Sequence, residues 1–245
     1  MANGRMAEWR MANGRVANGE WRMANGRKSA FCLLPSAFCH PLSVPTPSDE
    51  FMAEMRALEP AYLEHSTPEG RSGFSGGRER WVQERSPLVE AIDRSGDFLD
   101  VGCANGLLAA DVVDWAAVRG HTVVPFGIDL GPALIEEARA RHPDHPDDFV
   151  AADVWLWEPD RTWDFVYSLT HLAAPGMSCT LFERLLSWVA PGGRLIVGAY
   201  GSRSRGVEPE AVDEMLASCG HTVAGAAVDD PAAPLTRFGW VDGVG

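Results

Sequence analysis

The sequence predicts an α/β protein, a doubly wound and mostly parallel sheet with helices on both faces. Three observations lead there. From Phe98 onward, short apolar runs alternate with helical ones, the pattern of parallel strands joined by helical crossovers. One junction, FLDVGCANG over 98–106, runs from a strand through a glycine turn into the helical LLAADVVDWA, which is how nucleotide-like cofactors are commonly seated. The last two apolar runs, HTVAGAAV and LTRFGWVD, have no helix between them, which predicts a closing hairpin and one antiparallel strand.

The elements follow in order. Phe51, Met55, Leu58 and Tyr62 recur at spacings of four, three and four, one face of a helix. HSTPEGRSGFSGG is a Gly/Ser/Pro-rich loop. Arg78 to Arg94 reads as helical again, with Ser86 and Pro87 suited to cap and open a helix over Leu88 and Ile92. FLDV is a strand, and LLAADVVDWAAV a helix ended by Gly120. FGID is the second strand; an interior strand tolerates proline badly, so it is expected to begin at Pro125 and to be short. PALIEEARARH is a helix, DFVAA and DFVYSL are strands, and CTLFERLLSWVA is a helix closed by Pro-Gly-Gly. RLIVGAY is a strand and EPEAVDEMLASCG the last helix.

Composition narrows the function classes. A chain of 245 residues with 46% apolar content can bury a substantial core. Its apolar runs fall short of a membrane span, so a soluble protein is expected. The five cysteines are odd in number, scattered and without metal-ligand spacing, which fits a reducing, cytoplasmic setting better than a disulfide framework. Residues 1–48 carry six basic and two acidic side chains, whereas 49–245 carry fifteen basic and thirty-two acidic. So acidic a body repels phosphate backbones and disfavours nucleic acid as a partner.

The first forty-eight residues are a different text. MANGR, MAEWR, MANGR, VANGEWR and MANGR form a degenerate repeat, followed by the near-duplication SAFCLLP and SAFCHPL. A tandem ATGGCGA unit read through all frames yields this heptapeptide, and the repeat lacks the period and apolar face of a structural one. The expectation is translated repetitive DNA, disordered and upstream of the true start, with Met52 as one candidate for that start. The competing reading, an Arg-rich targeting peptide, conflicts with Pro35, Pro41, Glu8 and Glu20. The expected organisation is a leader over 1–48, a helical cap or lid over 49–95 and a ligand-binding domain over 96–245.

The glycine turn selects its ligand by what it lacks. A dinucleotide fingerprint counted from Gly102 needs glycine at 104 and 107, where Ala104 and Leu107 stand. An ATP-binding phosphate loop needs Lys-Ser/Thr, and the only lysine is Lys28. What remains is Asp100, Gly102 and Gly106, with a carboxylate suited to an ammonium or sulfonium rather than a phosphate. The next strand ends in Asp129, able to accept from both hydroxyls of a ribose. The third ends at Asp153, placed to meet an adenine edge. Three carboxylates at successive strand ends describe a cationic, ribose-bearing adenine cofactor.

Residues 97–201 resemble a class I S-adenosylmethionine-dependent methyltransferase, through LDVGCANG, GID, AAD and VAPGGRLIV in that order. The resemblance implies strand order 3-2-1-4-5-7-6 with the seventh strand antiparallel, and makes 96–245 the methyltransferase domain. It also implies that Asp100 and Gly102 hold the methionyl end of the cofactor, within a turn that includes Cys103, Ala104 and Gly106. Asp129 takes the ribose, Leu130 lies on the adenine, and Asp153 and the Val154 amide read its edge. Ser168 to His171 border the transferred methyl. Ala104 departs from the family, where a middle glycine is common, and the long gap from Asp100 to Asp129 implies a long first helix.

Other candidates stand beside bland readings. His171 is a candidate general base, or a pocket-lining or satisfied core histidine. Arg203 and Arg205, in YGSRSRG, are candidates to grip an anionic group on the acceptor, or are solvated loop charges. Arg78, Arg80 and Trp81 follow the GFSGG loop in a segment that closes over the site or packs as an extension; Trp81 is a candidate substrate contact. Trp155 and Trp157 flank the adenine or belong to the core. Cys103 is expected to be inert, and His142 with His145 to lie in a solvated loop rather than a metal site. No Asn/Asp-Pro-Pro-Tyr motif is present; Ser168-Leu-Thr-His171 stands in its place. With the acidic charge, this favours a small-molecule acceptor over RNA or protein. A non-catalytic cofactor-binding protein and a nicotinamide oxidoreductase are the remaining alternatives.

Overall fold

The computed structural model describes residues 45–243. The repetitive leader and the expectations attached to it, including Cys32 and Cys39, lie outside the described residues. One seven-stranded sheet organises the rest in the order β3-β2-β1-β4-β5-β7-β6. The strands are β1 (Gly96–Val101), β2 (Val123–Asp129), β3 (Phe149–Ala151), β4 (Trp163–Leu169), β5 (Val189–Tyr200), β6 (Gly225–Val228) and β7 (Thr236–Asp242). Pairings among β1 to β5 are parallel, and β7 runs antiparallel to both β5 and β6. The predicted fold class, strand order and hairpin are all present.

The helices are α1 (Asp49–Arg56), α2 (Leu58–Leu63), α3 (Gly77–Arg85), α4 (Leu107–Val118), α5 (Pro132–Arg141), α6 (Ser178–Leu186) and α7 (Val212–Ser218). Side chains alternate across β1: Leu99 and Val101 join Val166, Val197 and Phe182 in one buried cluster, while Phe98 joins Leu108, Val112, Phe165 and Tyr167 in another. A central strand apolar on both faces is what two helical layers require. Among the described residues, no helix is long and apolar enough to cross a membrane.

Four local expectations are corrected. The face drawn from Phe51 to Tyr62 is two short helices, because Pro60 in the first turn of α2 has no N–H to continue a helix from upstream. Met52, rather than Met55, is the buried member of α1. Pro87 likewise turns the end of the Arg78–Arg94 segment into a 3-10 stretch over Ser86–Ala91. Pro125 lies inside β2, which begins at Val123; β3 pairs only from Gly127 onward, so at Pro125 the strand has a neighbour on the β1 side alone.

Two side-chain expectations also change. Cys179, in the first turn of α6, is disulfide-bonded to Cys219 at the end of α7, forty residues away in sequence. The helices bring together two cysteines whose spacing carries no signal, so the expectation that the pattern fits a reducing setting better than a disulfide framework is not met at this pair. Cys103 is free and buried. His142 is not solvated: its ring stacks on Phe149 at 4.4 Å and its Nε2 lies 2.9 Å from the Gly106 carbonyl. Among the described residues, no group of His, Cys, Asp and Glu is placed to hold a metal.

Candidate functional site

The carboxyl ends of β1, β2 and β4 open onto a cavity of about 800 Å3, closed on the far side by the segment before β1. This is where an open α/β sheet is expected to bind a ligand. Gly102 leaves β1 with φ +84°, and a Cβ there would stand 2.9 Å from Leu172, so the backbone can pass only as glycine. The Gly102 and Cys103 amides donate to Ile128 O at 2.8 and 3.0 Å, tying the turn to β2. Ala104 follows at φ +47°, the only non-glycine residue with positive φ among the described residues. Strain of this kind persists where surrounding structure dictates it.

That structure is Asp129. Its Oδ2 accepts the Ala104 amide at 2.9 Å and its Oδ1 the Gly131 amide at 2.8 Å. Burial raises its pKa, the two amides oppose the rise, and Glu59 adds to it. Each oxygen keeps a second lone pair for a ligand hydroxyl. Asp100 is 2% exposed and its Oδ2 has no hydrogen-bond partner. Burial, then the charge of Asp129, pushes its carboxyl up to about 8. An uncompensated buried carboxyl of this kind is chemically suited to a cationic neighbour.

The rest of the turn is braced from both sides. Asn105 is fully buried; its Nδ2 donates to Pro68 O at 2.9 Å and its Oδ1 accepts from Ser72 Oγ at 2.6 Å. His142 holds the Gly106 carbonyl, and burial lowers its pKa, which suits a neutral ring donating from Nε2. The segment before β1 also reaches the start of α5, where Glu59 Oε1 accepts the Ala133 amide at 2.7 Å. Arg71 pairs with Glu137 on α5.

Of the predicted residues, Gly102, Ala104, Asp129, Leu130, Val154, His171, Arg203 and Arg205 line the cavity. His171 is exposed at this wall, and partial desolvation lowers its pKa against the pull of Glu210. Asp100, Cys103, Gly106, Asp153 and Ser168 do not line it. Asp153 Oδ1 accepts the Trp155 amide at 2.9 Å, starting a turn, and Ser168 is fully buried. Trp81 is 3% exposed, donates from Nε1 to Asp111 Oδ2 at 2.6 Å and stands behind the wall rather than on it. The sequence gives little signal for Glu59, Arg85 and Tyr200, which do line the cavity. Tyr62, also on the wall, carries only its helical spacing.

Residues 74–222 match the family described as "Methyltransferase domain". Among curated proteins, a trans-aconitate 2-methyltransferase of Methylobacterium radiotolerans is 36% identical over 99 residues, covering 40% of this chain and 36% of that protein. One from Escherichia coli O1:K1 is 35% identical over 124 residues, covering 48% and 46%. The matches therefore span less than half the length of these relatives. Among solved structures, magnesium protoporphyrin IX methyltransferase from Synechocystis PCC 6803 with bound S-adenosylmethionine aligns at TM-score 0.55 and 14% identity, over 81% of this chain and 99% of that one. The 1,6-didemethyltoxoflavin-N1-methyltransferase of Burkholderia thailandensis aligns at 0.53 and 18%, over 82% and 92%. Both likenesses concern the fold.

Proposed function

The chain belongs to the methyltransferase-domain family, with the class I seven-stranded fold, and from that premise we propose that it moves the methyl group of S-adenosylmethionine to a hydroxyl or amine of a small-molecule acceptor. The observation that carries the reading is the pair of carboxyls at the ends of β1 and β2. Asp129 is oriented by two amides, and Asp100 is buried without a partner for Oδ2. Both fit a ribose-bearing cofactor with a cationic tail. In this reading Asp129 takes the ribose hydroxyls, Gly102 and Ala104 let the tail approach, Asp100 balances its ammonium, and Leu130 and Val154 flank the adenine.

When bound, the cofactor supplies an electrophilic methyl on a positively charged sulfur. The chain's task is to align the acceptor behind that methyl and to keep water away. The cap closes the cavity for this purpose. His171, whose pKa is lowered by desolvation, lines the cavity and is the candidate to accept the acceptor's proton. The name shared by the curated relatives, trans-aconitate 2-methyltransferase, supports a small acceptor. Calorimetry with S-adenosylmethionine, its demethylated product and NAD tests the reading. The first two are expected to bind; tight binding of NAD alone would overturn it.

A further inference from the structure

We infer that the acceptor carries a carboxylate and that the buried guanidinium of Arg85 anchors it. The inference rests on the methyl-transfer reading of the cavity and adds the charge of the group to be bound. The cavity wall carries five arginines, Arg56, Arg80, Arg85, Arg203 and Arg205, against the carboxylates of Glu59, Glu84 and Asp129. In a chain of net charge −13, such a concentration of arginine calls for a ligand-based reason.

Arg85 differs from the other four, which are exposed. It is 5% exposed yet lines the cavity. Its Cζ lies 3.5 Å from the centroid of Tyr200 and 4.8 Å from that of Phe74. Stacking fixes the plane of a guanidinium while leaving its N–H fork unspent. Among the described residues its only hydrogen-bond partner is Glu84 Oε2, at 3.5 Å. Glu84 is already engaged through Oε1 by Arg80 at 2.6 Å. Nε of Arg85 is buried without a partner.

A desolvated cation held in one plane and weakly paired is costly unless something completes it. A carboxylate does so with two parallel hydrogen bonds. The Tyr200 hydroxyl, 2.6 Å from that of Tyr167, locks the ring on which the fork rests. Arg203 and Arg205 then have a different task from the one expected of them: at the exposed rim they raise the local concentration of anions rather than grip one. A purely structural Arg85, present only to neutralise Glu84, leaves its place on the wall and its unmet donors without a cause.

The test titrates the full chain, saturated with S-adenosylhomocysteine, with trans-aconitate, fumarate and benzoate, and with their methyl esters. The wild type is expected to bind at least one acid and to bind its ester roughly 30-fold more weakly or worse. Arg85→Gln is expected to lose the acid by a similar factor while holding S-adenosylhomocysteine within about twofold. Arg85→Lys keeps the charge but not the stacked fork, and is expected to recover only part of the loss. Equal binding of acid and ester, no binding of any acid, or an Arg85→Gln protein that binds the acid like the wild type overturns the inference. Should Arg85→Gln fail to fold, the acid-to-ester ratio and Arg85→Lys still decide. Failure of the wild type to bind S-adenosylhomocysteine is a separate result, against methyl transfer itself.

Discussion

The two ends of the cavity are built in different ways. The proposed cofactor end is carried by strand termini and one turn, with the Asp129 carboxyl held by backbone amides from adjacent segments. The acceptor end is carried by side chains: Arg80, Glu84 and Arg85 on α3, Tyr200 at the end of β5 and Arg203 and Arg205 in the 3-10 turn beyond. One end is fixed by the sheet. The other rests on a short helix docked onto α4 and on Tyr200 at the end of β5. The difference teaches that a change of acceptor can draw on α3 and the turn beyond β5 while leaving the ends of β1 and β2 untouched.

The largest expected effect breaks the docking. Asp111 on α4 accepts two hydrogen bonds from Arg78, at 2.5 and 2.6 Å, and one from Trp81. Asp111→Ala leaves the buried indole N–H without a partner and is expected to cost about 2–3 kcal/mol in denaturant unfolding. If α3 alone carries the acceptor end, the acid binding described above should fall while S-adenosylhomocysteine binding is kept. Equal loss at both ends would show that the two are one unit.

Next in size, Asp129→Ala attacks the other end. Cofactor affinity is expected to fall by about 1.5–3 kcal/mol, the scale of charge-assisted hydrogen bonds, read by calorimetry; unchanged affinity removes Asp129 from the site. The smallest effect is a proton. Asp100 has a folded pKa of about 8 against an ordinary 3.8. With the folded value raised, its contribution to stability is fully present below the ordinary value and is lost as pH rises toward 8. A cationic ligand ionises it, so cofactor binding at pH 7 is expected to release protons to the buffer. Titrations in buffers of different ionisation enthalpy should show this release in the wild type and less of it in Asp100→Asn. Equal release in both denies Asp100 the role of counter-ion.

Sequence and structure agree where local chemistry decides. The helix over Leu107–Val118 has the boundaries its apolar run and Gly120 indicate, and GID ends on the Asp129 that faces the cavity. They part where a distant neighbour decides. Nothing near Pro125 announces that β3 is too short to need its missing N–H. Cys179 and Cys219 meet only because two helices fold onto one side of the sheet. Arg85 and Tyr200 are unremarkable in the text, 115 positions apart, and their importance comes from a stacking that exists only after β5 has taken its place. Trp81 follows a Gly/Ser-rich loop in the text, yet its indole N–H needs a buried acceptor and finds it in Asp111.

Asn105 belongs to the turn that faces the cavity, yet its side chain is spent on the cap, through Pro68 and Ser72. The turn and the segment before β1 are therefore coupled through one buried amide, and a substitution on either side of it is felt on the other.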